Sequence, residues 1–326
     1  MGPRLAVMRA TAKSHGLELV TVDRNGARPF RLAGGGPRKK PLLDLFSPMA
    51  WTADGGKLAF SGIVGFRNGD GAQPIQKLFF VNADGSGLKG IPGTQEGAGP
   101  VLSPDGHTVA YTRIIQRTSE TRVGGRMWDE GFDGSSIWIA DLHTGARRQL
   151  TPWRSGLWFT ASSFSPDGST LLAAVEDELL VDSQPVALNL KGEIVKRIFD
   201  DGFSPVYSPD GTKVALIRRV DEYGRREGEN TDLYVVNADG TDLRRLTRTP
   251  GQPELWPSWD PSGQRLAYVR LPLARSEDAP FGYGNSLMEI NADGTCQSRV
   301  FSPRPSLYFS PAWQPGPGRE AGRIEC

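Results

Sequence analysis

A nine-residue stretch, Ser208 to Leu216, reads SPDGTKVAL, and near copies of it recur along the whole chain: TADGGKLAF from Thr52, SPDGHTVAY from Ser103, SPDGSTLLA from Ser165 and DPSGQRLAY from Asp260, with a broken form, QPGPG, from Gln314. Proline presets φ at the second position, aspartate tolerates the third, and glycine takes the left-handed conformation at the fourth. The quartet therefore reads as a type I turn. An apolar run such as Val214-Ala215-Leu216 follows each turn and a large apolar residue precedes it, which is the pattern of a hairpin. A second set of turns follows the first: NADG at Asn82, Asn237 and Asn291, DLHTG at Asp141, NLKG at Asn189 and DRNG at Asp23. Each unit then holds four antiparallel strands.

The first-turn glycines Gly55, Gly106, Gly168, Gly211 and Gly263 stand 43 to 62 residues apart. Four-stranded units at that spacing are the signature of β-propeller blades. The expected fold is all-β, a six-bladed propeller in one domain, since blades stacked in a ring cover one another's faces. Blades are expected at about 45–93, 98–152, 159–200, 203–250 and 254–304. The sixth is shared between 1–36 and 306–317, because RLAVMRA at Arg4 matches RLAYVR at Arg265 while SLYFSPAW at Ser306 matches PELWPSW. Pairing of the two ends would remove exposed sheet edges. Blade three looks shortest and least regular.

Alternation of SPDG-x-x-(V/L)-A-(F/Y/L) with (L/I)-(Y/W/F)-(V/I)-x-(N/D)-A-D-G…RLT resembles the TolB-type, WD-repeat-like propeller of bacteria over nearly the whole chain. The resemblance implies a binding or interaction module. TolB itself partners the outer-membrane Pal lipoprotein in the periplasm and carries an α/β domain ahead of its propeller; the expectation here is the propeller alone. No Gly-x-Ser-x-Gly elbow occurs, so a hydrolase domain like that of the prolyl oligopeptidases is not expected.

With 38 basic and 37 acidic residues the formal charge is +1, and they are interspersed. Nothing favours nucleic acid as a partner. No apolar run approaches the about 20 residues that span a bilayer. The chain is expected to be a monomer, periplasmic or extracellular if a signal peptide was trimmed and cytoplasmic otherwise. Cys296 and Cys326 leave two readings open: a disulfide pinning the tail, or two free thiols.

Strand order puts both sets of turns on one face and the long insertions on the other, from Ser61, Arg113, Arg218 and Arg270. That loop-rich face and the adjoining channel mouth are the expected site for a protein partner, a small molecule or a saccharide. On the innermost strands, large residues (Trp51, Leu102, Phe164, Tyr207, Trp259, Trp313) alternate with small ones (Ala50, Val101, Ser163, Val206, Ser258, Ala312). The large set should pack between blades and the small set face a mildly polar channel.

Phe46, Trp158, Phe159, Glu254, Trp256, Tyr308 and Phe309 lie in the links and are candidates for an aromatic rim, joined by Trp128 and His15 from the loops. Asp129, Glu130 and Asp133 are a candidate Ca²⁺ site through oxygen ligands. The rival reading is a propeller enzyme, a lyase or hydrolase acting on a saccharide, peptide or secondary metabolite at the same mouth, with a divalent metal and with His15 or an acidic group as base. No histidine spacing suggests zinc.

Overall fold

The structure is a computed structural model that describes residues 4–11, 16–23, 29–34, 42–43, 47–66, 74–116, 122–123, 126–127, 132–177, 183–220, 230–272, 285–301, 306–316 and 323–326. Among the described residues the regular elements are all strands, and apart from a short ribbon, Arg122–Val123 with Arg126–Met127, they form six antiparallel blades.

The recurring quartet builds its turn the same way each time. At Ser103 the glycine amide, Gly106 N–H, donates to the Ser103 carbonyl at 2.9 Å. The Ser103 hydroxyl donates to Asp105 Oδ1 and accepts Thr108 N–H at 2.9 Å, while His107 N–H donates to the same carboxylate. Thr52 with Asp54, Ser165 with Asp167 and Ser208 with Asp210 repeat the arrangement. The hydroxyl bond holds each aspartate below its ordinary pKa, Asp167 at about 2. In the fifth blade the residue types are exchanged: Ser262 Oγ donates to Asp260 Oδ2 at 2.7 Å. That exchange puts a buried carboxylate 3.8 Å from the buried Arg265, which also pairs with Glu289 at 3.0 Å and lies over the Trp313 ring.

Second turns dock on first turns of the same blade through Ala83 N–H to Gly56 O, Leu142 N–H to His107 O, Ala238 N–H to Thr212 O and Ala292 N–H to Gln264 O, at 2.8–2.9 Å. Both sets therefore lie at one end of the ring. Blades 2 to 5 open on the innermost strands Gly97–Leu102, Leu157–Phe164, Phe203–Tyr207 and Glu254–Trp259. Blade 3 has four regular strands, contrary to expectation. The irregular blade is the first, whose innermost edge is split into Leu42–Leu43 and Ala50–Trp51 against one long strand, Lys57–Phe66.

The ring closes between the chain ends. Strand Ser306–Trp313 pairs with Arg4–Thr11, with Leu5 opposite Trp313, Ala6 opposite Ala312 and Met8 opposite Phe309. Gln314 N–H extends the ladder to Arg4 O at 2.9 Å. Buried apolar side chains form clusters that each bridge two adjacent blades: Trp51, Leu58 and Phe60 of the first blade meet Met8, Leu19 and Phe309 of the sixth, and Ala267 and Val269 of the fifth meet Leu5 and Val7. Sheet-on-sheet burial thus runs all round the ring, which is how a chain of this length keeps one fold without splitting its core.

Past the closing strand the tail returns to blade 5. Cys296 and Cys326 are joined in a disulfide with Cα atoms 5.1 Å apart, so the free-thiol reading does not hold. Asn291 Nδ2 donates to Ile324 O and Ile324 N–H donates to Asn291 Oδ1, while Arg323 pairs with Asp293.

Candidate functional site

The central channel is lined by the innermost strands, and all six break step. The ladder skips at Gly99-Pro100, at Ser162, at Ser204-Pro205, at Trp256-Pro257 and at Ser310-Pro311, and the first blade leaves a gap between its two short segments. Proline has no N–H to give a ladder, so it settles at bulges. Before each of the four prolines the backbone turns left-handed, with φ of 63° at Gly99, 51° at Ser204, 55° at Trp256 and 48° at Ser310. For residues with a Cβ such conformations cost about 1–3 kcal/mol each and cluster at ligand clamps.

Ser204, Trp256 and Ser310 meet in one cavity of about 250 Å³, whose wall also includes Met49, Ser162, Glu176, Phe203 and Ser258. Glu176 and Phe203 stand at the strand ends away from the SPDG turns, which sets the cavity toward the face of the links and insertions. A second cavity, about 300 Å³, lies at the turn end among Trp51, Trp259, Trp313, Pro209, Pro261 and Pro315. The two share Met49 and Ser258, so they adjoin along the channel. Trp256 is half-buried, with its ring 5.8 Å from that of Phe309.

Period-two packing of the innermost strands is visible in two cross-blade bonds: Trp51 Nε1 donates to Ala312 O, and Trp259 Nε1 to Val206 O, each at 3.1 Å. Val206, Ser258 and Ala312 line the two cavities. Leu102 and Tyr207 are only half-buried, so the large set is not uniformly enclosed.

Of the rim candidates, three fall together for a structural reason. Phe159, Glu254 and Tyr308 occupy matching places on the innermost strands of blades 3, 5 and 6, and each is clamped by a side chain of the preceding blade. Ser135 bonds both the N–H and the carbonyl of Phe159, Thr231 does the same for Glu254, and Asn285 for Tyr308, at 2.7–3.0 Å. All three are buried between blades, Glu254 and Tyr308 with no exposed surface, and so they form no rim. Glu254 accepts hydrogen bonds from Leu233 N–H, Thr247 and Thr249 and from Arg270 at 2.8 Å. Burial raises its pKa, opposed by the Thr247 hydroxyl and the Arg270 guanidinium. Trp158 is half-buried and opposite Glu176 in its ladder, outside the cavity wall. His15, Phe46, Trp128, Asp129 and Glu130 lie outside the described residues, as does the Asp133 side chain. Among the described residues no three His, Cys, Asp or Glu side chains are grouped to hold a metal ion.

Sequence reading missed Met49, Ser162, Glu176, Phe203, Ser204 and Ser310. A signal existed for the bulges: Pro100, Pro205 and Pro257 each precede the turn glycine by the same interval, and Pro311 stands likewise before Pro317.

Among solved structures, TolB from Acinetobacter baumannii superposes on 96% of this chain and 67% of its own with a TM-score of 0.68 at 21% identity. The fold is that of a TolB-type propeller. The curated Tol-Pal system protein TolB of Anaeromyxobacter dehalogenans is 41% identical over 59 residues, 18% of this chain and only 12% of that relative's length. No protein-family model matches the sequence. Hydrazine synthase of Kuenenia stuttgartiensis shares the fold at TM-score 0.60 and 15% identity, covering 98% of this chain and 47% of its own. Oligogalacturonate lyase of Vibrio parahaemolyticus does so at 0.52 and 12%, covering 88% and 72%. With such different activities on one scaffold, what a TolB-type propeller does has to be argued from its own site. No helix among the described residues is long and apolar enough to cross a membrane.

Proposed function

We propose that this TolB-type propeller is a binding module that receives a segment of a partner protein in the channel cavity beneath the insertion-bearing face. The observation that carries the reading is the convergence of Ser204, Trp256 and Ser310, each held at positive φ, on one cavity wall. A backbone kept in such conformations by its surroundings is a preorganised surface, which lowers the ordering cost of a bound segment. Its hydroxyls and half-buried aromatic rings suit a peptide that offers both apolar side chains and main-chain polar groups. The Cys296–Cys326 disulfide supports an oxidising setting such as the periplasm.

Site-specific photocrosslinking in the native host tests the proposal. Benzoylphenylalanine in place of Phe203, on the cavity wall, is expected to give a discrete protein adduct that Trp256→Ala abolishes. The same probe in place of His107, exposed on the turn face, is expected to give none. An adduct from position 107 alone, or one from position 203 that survives Trp256→Ala, would move the site elsewhere.

A further inference from the structure

The wall of this cavity is chemically one-sided. Four prolines line it, Pro48, Pro205, Pro257 and Pro311, and none has an N–H to offer. Thr160, Ser162, Ser204 and Ser258 belong to the same wall, and a serine or threonine hydroxyl can turn either its oxygen or its proton toward a ligand.

Among the described lining residues the one charged group is Glu176, an exposed carboxylate at the outer end of its strand. Two aromatic side chains, Trp256 and Phe203, complete the enclosure, and ring faces carry negative potential. Carboxylate and ring faces act in the same electrostatic sense, and the hydroxyls can turn their oxygens to a cation. An anionic ligand would lose its water here and meet no positive side chain on the described wall.

We infer that the group inserted into the cavity is cationic, a lysine ammonium or arginine guanidinium projecting from the bound segment. The inference rests on the cavity being a binding site, as proposed above. A space of about 250 Å³ is several times the roughly 30 Å³ occupied by one water, ample for a long side chain with its charged head. Recognition combines the ion pair to Glu176 with stacking on Trp256 or Phe203. The chain uses the same stacking within its own blades, where Arg218 lies 4.8 Å over the Phe199 ring and Arg113 lies 5.2 Å over that of Trp138. A planar guanidinium suits both contacts better than a rounded ammonium does.

Titration with argininamide and with citrullinamide, which has the same shape but replaces guanidinium by neutral urea, tests the charge alone. The NMR signal of the Trp256 indole N–H is the readout. Argininamide is expected to bind about fivefold to tenfold more tightly, the scale of one partly exposed ion pair plus one cation–π contact. Glu176→Gln is expected to remove most of that difference, and since Glu176 is exposed the variant leaves the fold intact. Equal binding of the two amides, or a preference that Glu176→Gln does not change, would overturn the cationic assignment. A silent indole signal with both amides overturns it as well. If the position-203 adduct persists in either case, the cavity is still a binding site and only its assigned chemistry is wrong. Loss of that adduct too would remove both readings.

Discussion

Glu254→Ala is expected to destabilise the propeller by about 3–5 kcal/mol, the range for removing one partner of a buried ion pair. Glu254 joins three elements around one carboxylate: Leu233 N–H from the third strand of blade 4, Thr247 and Thr249 from the link, and Arg270 from blade 5. Alanine would leave Leu233 N–H to Thr247 and the two threonine hydroxyls to longer bonds with Asp232, but Arg270, whose side chain is 12% exposed, would lose its carboxylate and remain beside the buried Tyr268 hydroxyl. The neighbouring carboxylate, Asp232, pairs with Arg245. Urea unfolding followed by tryptophan fluorescence gives the value directly. A loss below about 1 kcal/mol would mean that water reaches the junction and that the network holds the two blades only weakly.

The second large effect is in the tail. Replacing Cys296 and Cys326 by serine is expected to lower stability by about 3–4 kcal/mol, from the chain entropy regained when a loop with a sequence separation of 30 is opened. For a chain of this length that corresponds to roughly 5 °C in Tm. Asn291 and Asp293 would still bind Ile324 and Arg323, so the tail is expected to fray without carrying the blade with it. Calorimetry of the oxidised protein with and without dithiothreitol should reproduce the shift, and the serine variant should not respond. An identical Tm in all three samples would show that the bond constrains nothing that unfolding releases.

Fold was legible because it is written in short-range chemistry. The Ser-Pro-Asp-Gly quartet makes its own hydrogen bonds, so a local motif counts blades before any contact is known, and the shared terminal blade followed from matching Arg4 with Arg265. Site residues were harder to read. Phe159, Glu254 and Tyr308 sit where a link enters a strand, and the sequence around them does not say that Ser135, Thr231 and Asn285 of the neighbouring blade will seize their main chain. That information is long-range, 23 or 24 residues away and on another sheet. Conversely Ser204 and Ser310 look like ordinary serines before proline. Their importance comes from backbone conformation, and only the regular interval between proline and turn glycine hinted at it. Alternation by two assigned the channel side of Val206, Ser258 and Ala312, and Trp256, two residues before Ser258, shares that side.

The channel depends on the closing strand, since Ser310 and Pro311 are part of its wall. Hydrogen exchange of the 4–11 and 306–313 amides is the most direct test. In a ring closed by its two ends, ladder amides such as those paired between Ala6 and Ala312 should exchange as slowly as those of the Lys213–Arg219 strand inside blade 4. Rapid exchange across 306–313, with blade 4 still protected, would mean an open ring and a channel without its sixth side.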